Sequence, residues 1–545
     1  MRDNQFDEAV NGTVTNPSLG VGLNGLHDWS TAQPFLDHFK MARPWTGRQG
    51  DTFGAVSFQE LQAGGYIDGS GWLLGVPEDV DGVSVVLLTE LDPNATDLAG
   101  RYAMTWDGQG RINVLGGTEL ERIGNRIEFD FIPGWGRLVE IRVTQVEQPI
   151  RNIRVIKLDN ERRYDAGNIF RIEWLDMVRN YRLVRFMDWM LTNNSQQSEW
   201  RDRPRVSDAF YTWRGAPVEV MVRLANAIGA DPWFNMAHLA SDGYMRSFAA
   251  YVRRYLKPGL RAHYEYSNEM WNMQFDQTQW AIERAREVWP DQGDGFVQWY
   301  AAGAVRMAQI VGQAHEDDPS GCVRIISTHT HWQGLEWAIL EAPNWRAGDP
   351  MRRAPYQYFD AYAVSGYFDG GLDRDENVAR VRDLLAQGSA AKARTVLCTQ
   401  MLQGGWPESG RTVANLRETW DYQATIAKER GLSLIMYEGG THIVPPAEVR
   451  ADPALRHFYE QFNYSTEMAQ VYAAALTEWR AAGGALFNLF VECARVADFG
   501  YWGLQRHVGD ENPRWGVVEL WNRENAGAAD RPEGSFIGSY EISDR

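Results

Sequence analysis

Cysteine is scarce in this sequence. The 545 residues include three, Cys322, Cys398 and Cys493, set far apart in apolar runs. That spacing makes neither a disulfide framework nor a zinc site. No run of about 18 apolar residues occurs, so no membrane span is expected. Basic residues are outnumbered, with 54 Lys and Arg against 72 Asp and Glu and a net charge of −18. Duplex nucleic acid and anionic membrane surfaces call for the opposite balance, so neither is an expected partner. The opening MRDNQFDEAV lacks the apolar stretch of an export signal. Internal repeats and low-complexity runs are missing too. Hydrophobic residues at 44% and charged residues at 23% fit a folded globular chain rather than a disordered one.

Aromatic residues, in contrast, are plentiful: 23 Trp, 22 Tyr and 22 Phe. Part of this total must build core. Yet Trp29, Trp45, Trp189, Trp213, Trp271, Trp332, Trp406 and Trp502 sit beside polar or Gly-rich turns. An aromatic face offers sugar C–H groups an apolar, weakly negative platform. The set as a whole points to a polysaccharide ligand.

At about 150 residues per domain the length suggests three or four units, but barrel folds run to about 250 residues or more. Eight segments share one form, a short apolar run followed by polar and Gly residues: 19–29, 181–190, 231–240, 261–272, 322–332, 359–368, 432–440 and 485–494. Between most of them lie segments with apolar residues at helical spacing, including 169–179, 215–229, 242–256, 296–314 and 465–482. A last helix is expected over 513–523, with Pro513 in its first turn. Alternation of strand and helix eight times predicts a (β/α)8 TIM barrel. Residues 52–160 break the pattern with alternating, Gly-punctuated runs, which predict an antiparallel β-sandwich-like domain inserted after the first barrel strand. The expected organisation is a discontinuous barrel over 1–51 and 161–530, the insertion over 52–160, and a polar tail over 531–545.

Barrel active sites lie at the C-terminal ends of the strands. Strand four ends Ser267-Asn268-Glu269 and strand seven ends Tyr437-Glu438-Gly439-Gly440, which places two glutamates at one rim. Paired carboxylates are what glycosidic bond cleavage needs: one protonates the leaving oxygen, the other stabilises or attacks the sugar carbon. Glu265, four residues before Glu269, lies about 13 Å deeper by strand rise and reads as an internal ion-pair member. Glu492 reads as a substrate contact or a rim salt bridge. His238, His329 and His331 fall at predicted strand ends, where they would bond sugar hydroxyls.

The EYSNEMWN and MYEGG segments resemble the retaining glycosidases of glycoside hydrolase clan A. The resemblance spans strands one to eight, and the inserted β-domain departs from the clan's simplest members. It implies Glu269 as acid/base, Glu438 as nucleophile and Asn268 as the partner of the sugar 2-hydroxyl. Arg185 matches the clan's arginine at the end of strand two, bonded to the nucleophile. Tyr367 matches its strand-six residue, and Phe490 or Trp502 its strand-eight aromatic. Trp29, Trp189, Trp332 and Trp502 complete the expected substrate contacts. Two close carboxylates cannot both ionise freely. The one held by Arg185 is expected to stay ionised, and the other to stay protonated.

The expected activity is therefore retaining hydrolysis of an oligo- or polysaccharide, β-linked by analogy with the clan, with no metal and no cofactor. Two alternatives belong to other classes. One is a catalytically silent carbohydrate-binding protein. The other is a metal-dependent barrel hydrolase built on His329 and His331, which would share a strand face. A polymer substrate favours a secreted or periplasmic location; the free cysteines would suit the cytoplasm.

Overall fold

The computed structural model describes residues 17–50 and 52–525. The expected tail 531–545 lies outside them. Eight parallel strands close into a barrel: β1 (Leu19–Gly22), β2 (Leu183–Arg185), β3 (Asp231–Met236), β4 (Ala262–Tyr266), β5 (Cys322–Ser327), β6 (Ala361–Phe368), β7 (Ser433–Thr441) and β8 (Phe487–Leu489). Each strand pairs with its sequence neighbours. Closure comes at β1, where Gly20 pairs with Leu183 on one side and Asn488 on the other. These strands are buried almost throughout, which is why they read as short apolar runs and not as alternating ones.

The helices between them start and stop where local chemistry dictates. Ser241 caps Asp242–Tyr255 by accepting from the Tyr244 amide, and Ser465 caps Thr466–Ala481 through Met468. Asn512 caps Pro513–Glu524, with Pro513 at the first helical position. The helix Val218–Ile228 ends at Gly229, whose φ of 69° suits a residue without Cβ. Among the described residues no helix is long and apolar enough to cross a membrane.

Seven antiparallel strands form a second sheet. It begins at Thr46–Gln49, ahead of the expected start at 52, and ends with Val139–Lys157. The sandwich-like form comes from one sheet, not two. Its longest strands, Gly100–Leu115 and Val139–Lys157, pair along their length through several bulges. One half of this long pair adds Gly82–Leu87, and the other adds Arg126–Phe131. Both halves bury apolar residues in a common core that includes Val83, Val85, Tyr102, Ile127, Phe129 and Ile141. Phe39, Ala42 and Phe210, from the segments after β1 and β2, belong to that same core. The Phe39 ring stacks on Trp72 with centroids 5.9 Å apart. The sheet is thereby fastened to the barrel through two segments on its C-terminal side.

Candidate active site

The C-terminal ends of β2, β4 and β7 meet at Arg185, which is 1% exposed. Its Nη1 donates to Glu438 Oε1 at 2.5 Å. Its Nη2 donates to Glu265 Oε2 at 2.9 Å and to Asn268 Oδ1 at 2.8 Å. The rings of Trp233 and Tyr437 flank the guanidinium, with centroids 5.2 and 5.6 Å from Cζ. Glu265 also accepts from Trp233 Nε1, Asn235 Nδ2 and Ser327 Oγ. A carboxylate so saturated with donors is a fixed anchor, and it holds Arg185 in turn. The second oxygen of Glu438 accepts from the Tyr367 hydroxyl at 2.7 Å.

Glu269 is reached by a different device. Strand β4 stops at Tyr266, and Ser267 and Glu269 then take φ of 60° and 42°. Left-handed backbone at non-glycine residues costs about 1–3 kcal/mol each and marks places the surrounding structure over-determines. Past the turn Asn268 comes back to Arg185, where it and Glu265 share one nitrogen. Glu269 Oε1 accepts from Tyr437 Oη at 3.2 Å and its Oε2 from Asn272 Nδ2 at 2.9 Å.

Tyr437 and Glu438 are consecutive, and in a regular strand they would point to opposite faces. The β6–β7 register explains why both serve the site. Val364 pairs with Met436 but Ser365 with Glu438, so Tyr437 is the extra residue of a bulge. Bulges re-aim side chains in this way. The following Gly439 leaves no room for a side chain, since a Cβ there would meet the Phe487 ring at 2.7 Å.

The electrostatics correct one expectation. Burial pushes Glu438 up to about 7, against the opposing pull of Arg185 and Tyr367, and the charge of Glu269 adds to the rise. The carboxylate held by Arg185 is thus not kept low. Arg185 is shared between Glu438 and Glu265, and its pull on Glu438 falls short of the cost of burying that carboxylate. Asp188, just beyond β2, is pushed up to about 6 by burial and raises Glu438 further.

The remaining expected contacts divide. Trp502 is half-buried beside the site, with its ring 5.9 Å from Tyr367 and 5.7 Å from Phe490. His329 is lowered by burial and senses the charge of Glu269. Trp332, 47% exposed, lies 6.4 Å from the His329 ring. His238 packs edge-on against Trp280, and burial lowers it to about 4. Trp29 stacks on His27 at 4.5 Å and lies under Arg43, with no contact to the carboxylates described above. Trp189 is a correction: it is 1% exposed and packed among Phe35, Trp174 and Phe186, so no ligand touches it. Glu492 is a second correction. It is wholly buried, accepts the Asn24 amide at 2.7 Å and makes no rim salt bridge; burial pushes it up to about 8.

His329 and His331 lie beyond the end of β5 and do not share a strand face. The His331 amide donates to His329 Nδ1 at 3.2 Å, and the two rings stand edge to face. Among the described residues no three His, Cys, Asp or Glu side chains are grouped so as to hold a metal ion.

Several residues at the site escaped the sequence reading. His442 follows β7, its ring 5.0 Å from Tyr367 and 4.8 Å from Trp502; burial lowers it to about 4. Asn193 Oδ1 accepts from Asn268 Nδ2 and from Gln277 Nε2, and Gln277 also binds the Asn268 carbonyl. Tyr437 stands next to Glu438, but regular strand parity would turn it to the opposite face. The amides carry no spacing signal that could have found them.

No protein-family model matches this chain, and no curated protein matches it. Solved structures do. One of two fungal β-1,4-galactanases is 13% identical, covering 65% of this chain and 92% of its own, with a TM-score of 0.32. A broad-specificity GH5-4 endoglucanase from Clostridum cellulovorans is 10% identical over 66% and 88%, with a TM-score of 0.33. A GH1 β-glucosidase from the fungus Humicola insolens is 10% identical over 64% and 85%, with a TM-score of 0.34. The barrel itself is shown by the strand pairing.

Proposed function

We propose that this protein is a retaining glycoside hydrolase that cleaves an oligo- or polysaccharide, β-linked by analogy with clan A. One observation carries the reading. Consecutive residues of one bulged strand serve two carboxylates: Tyr437 holds Glu269, while Glu438 is held by Arg185 and Tyr367. In the first step ionised Glu438 attacks the anomeric carbon as the bond to the leaving oxygen breaks, and Glu269 gives that oxygen its proton. In the second step Glu269 takes a proton from water, whose oxygen displaces Glu438 from the same carbon. Once Glu438 is esterified its charge is gone, so Glu269 loses a like-charged neighbour between its two tasks. Asn268 has an amide hydrogen left over after binding Asn193 and is placed to meet a sugar hydroxyl. Tyr367, His442 and Trp502 form an aromatic wall for the sugar bonded to Glu438. The chemistry calls on no metal and no cofactor.

The test is a panel of polysaccharides and aryl glycosides, assayed with wild type, Glu269→Gln and Glu438→Gln. Each variant should lose activity by about a thousandfold or more, since each removes a group acting only in the transition state. Because Glu438 must be ionised and is raised to about 7, wild-type kcat/KM should climb as pH rises through that region. Near-full activity in Glu438→Gln on the substrate identified would reject the assignment.

A further inference from the structure

A cavity of about 590 Å³ lies on the flank of the barrel, where the helices Val218–Ile228 and Asp242–Tyr255 meet the inserted sheet. Small-molecule sites run from roughly 300 to 1,000 Å³. The cavity shares no lining residue with the carboxylate site. Six aromatic side chains line it: Phe35, Trp72, Tyr164, Tyr211, Tyr251 and Tyr255. Tyr251 and Tyr255 are one helical turn apart, with ring centroids separated by 4.4 Å. Its rim is open to solvent, with Tyr255 and Val206 about half exposed.

The charged lining is of both signs. Asp37 and Glu219 bring acceptors only, while Lys40, Arg154 and Arg223 bring donors only. Lys40 Nζ donates to the carbonyls of Val206 and Asp208 and lies 5.0 Å from the Tyr211 ring centroid, which leaves one ammonium hydrogen over. Glu219 gives Oε1 to Arg203 at 2.9 Å, whereas its Oε2 is buried with no partner.

These features narrow the ligand. A hydrocarbon would strip water from the charged groups and return no hydrogen bonds. A polyanion would be drawn by Lys40, Arg154 and Arg223 but opposed by Asp37 and Glu219 among them. A molecule whose hydroxyls both donate and accept, and whose C–H faces lie flat on aromatic rings, satisfies every part of the lining. We propose that this cavity is a second saccharide-binding site, taking a short segment of a neutral oligosaccharide away from the carboxylates. Such a site would tether a polymer to the flank of the barrel while another stretch of it enters the mouth. The assignment goes beyond the hydrolase reading and does not depend on it.

Calorimetric titration of the full chain tests the site. The Glu438→Gln protein is used so that no sugar is consumed, with β-1,4-linked gluco-, galacto- and mannohexaose as probes. Tyr255→Ala removes an exposed ring, and Glu219→Gln removes a negative charge from the lining. At least one hexaose should bind with a component that each substitution weakens tenfold or more, while the melting temperature holds and, in the wild-type background, aryl glycoside turnover is unchanged. Absence of binding by all three probes would overturn the proposal, as would binding that neither substitution alters. Uptake of an apolar dye that no hexaose displaces would overturn it too, by assigning a hydrophobic ligand. Failure of the hydrolase reading has its own readout, turnover that survives in Glu438→Gln.

Discussion

In the inserted sheet, the buried carboxylate Glu140 lies among two arginines and a serine: Arg142 at 2.9 Å, Arg48 at 3.8 Å and Ser84 at 2.7 Å. At the barrel mouth the ratio is reversed. Arg185 alone ties Glu265 and Glu438, with Glu269 and Asp188 adding negative charge. Two cations per carboxylate make a structural tie. At the mouth burial pushes Glu438 up to about 7, Arg185 pulls against it without prevailing, and the charges of Glu269 and Asp188 add to the rise. Under-compensation is unfavourable for folding, and it is what places the Glu438 titration near neutral pH.

The contrast can be broken most forcefully at Arg185. Arg185→Met should cost about 3–5 kcal/mol by leaving buried carboxylates unpaired, read as a fall in melting temperature. It should also move the rising limb of kcat/KM to higher pH, because the pull that lowers Glu438 is gone. A smaller effect is expected at Glu492, which has no cation beside it. A carboxyl raised from 4.5 to about 8 in the folded state loses stability as pH climbs through that window. Glu492→Gln should therefore be more stable than wild type at pH 9 by roughly 1–3 kcal/mol, with the gap closing toward pH 5. Thermal unfolding at the two pH values measures it. The smallest effect belongs to the sheet. Arg48→Met leaves Arg142 still bonded to Glu140, so the loss should stay near about 1 kcal/mol. A loss as large as that of Arg185→Met would erase the distinction between the two regions.

Much of this was legible before any coordinates. The eight apolar runs stood out because parallel barrel strands are buried on both faces and need no alternation. The helices Gly295–Ala314 and Pro513–Glu524 fall within two residues of their expected ends, since periodicity and an N-terminal proline mark them. Arg185, Asn268, Glu438 and Tyr367, named from the sequence, share one hydrogen-bond network. The failures have physical causes. Strand parity could not anticipate the bulge that turns Tyr437 to Glu269, nor the left-handed turn at Ser267 and Glu269. Trp189 sits beside the polar turn after β2, but its ring runs back into the core; sequence position cannot tell an aromatic that faces a ligand from one that fills a void. The direction of the Glu438 shift is set by how deeply the fold buries the carboxyl, with Glu269 and Asp188 adding to the rise, and neither the burial nor those neighbours can be read from strand spacing.

On the proposed reading Glu438 bonds to the anomeric carbon whose leaving oxygen Glu269 protonates. Labelling with a 2-deoxy-2-fluoro glycoside of the sugar found to be hydrolysed, followed by peptide mass spectrometry, addresses this directly. A stable adduct on the peptide bearing Glu438, formed at the expense of activity, is the predicted result. Efficient turnover with no adduct and an inverted product, or an adduct on another residue, would contradict it.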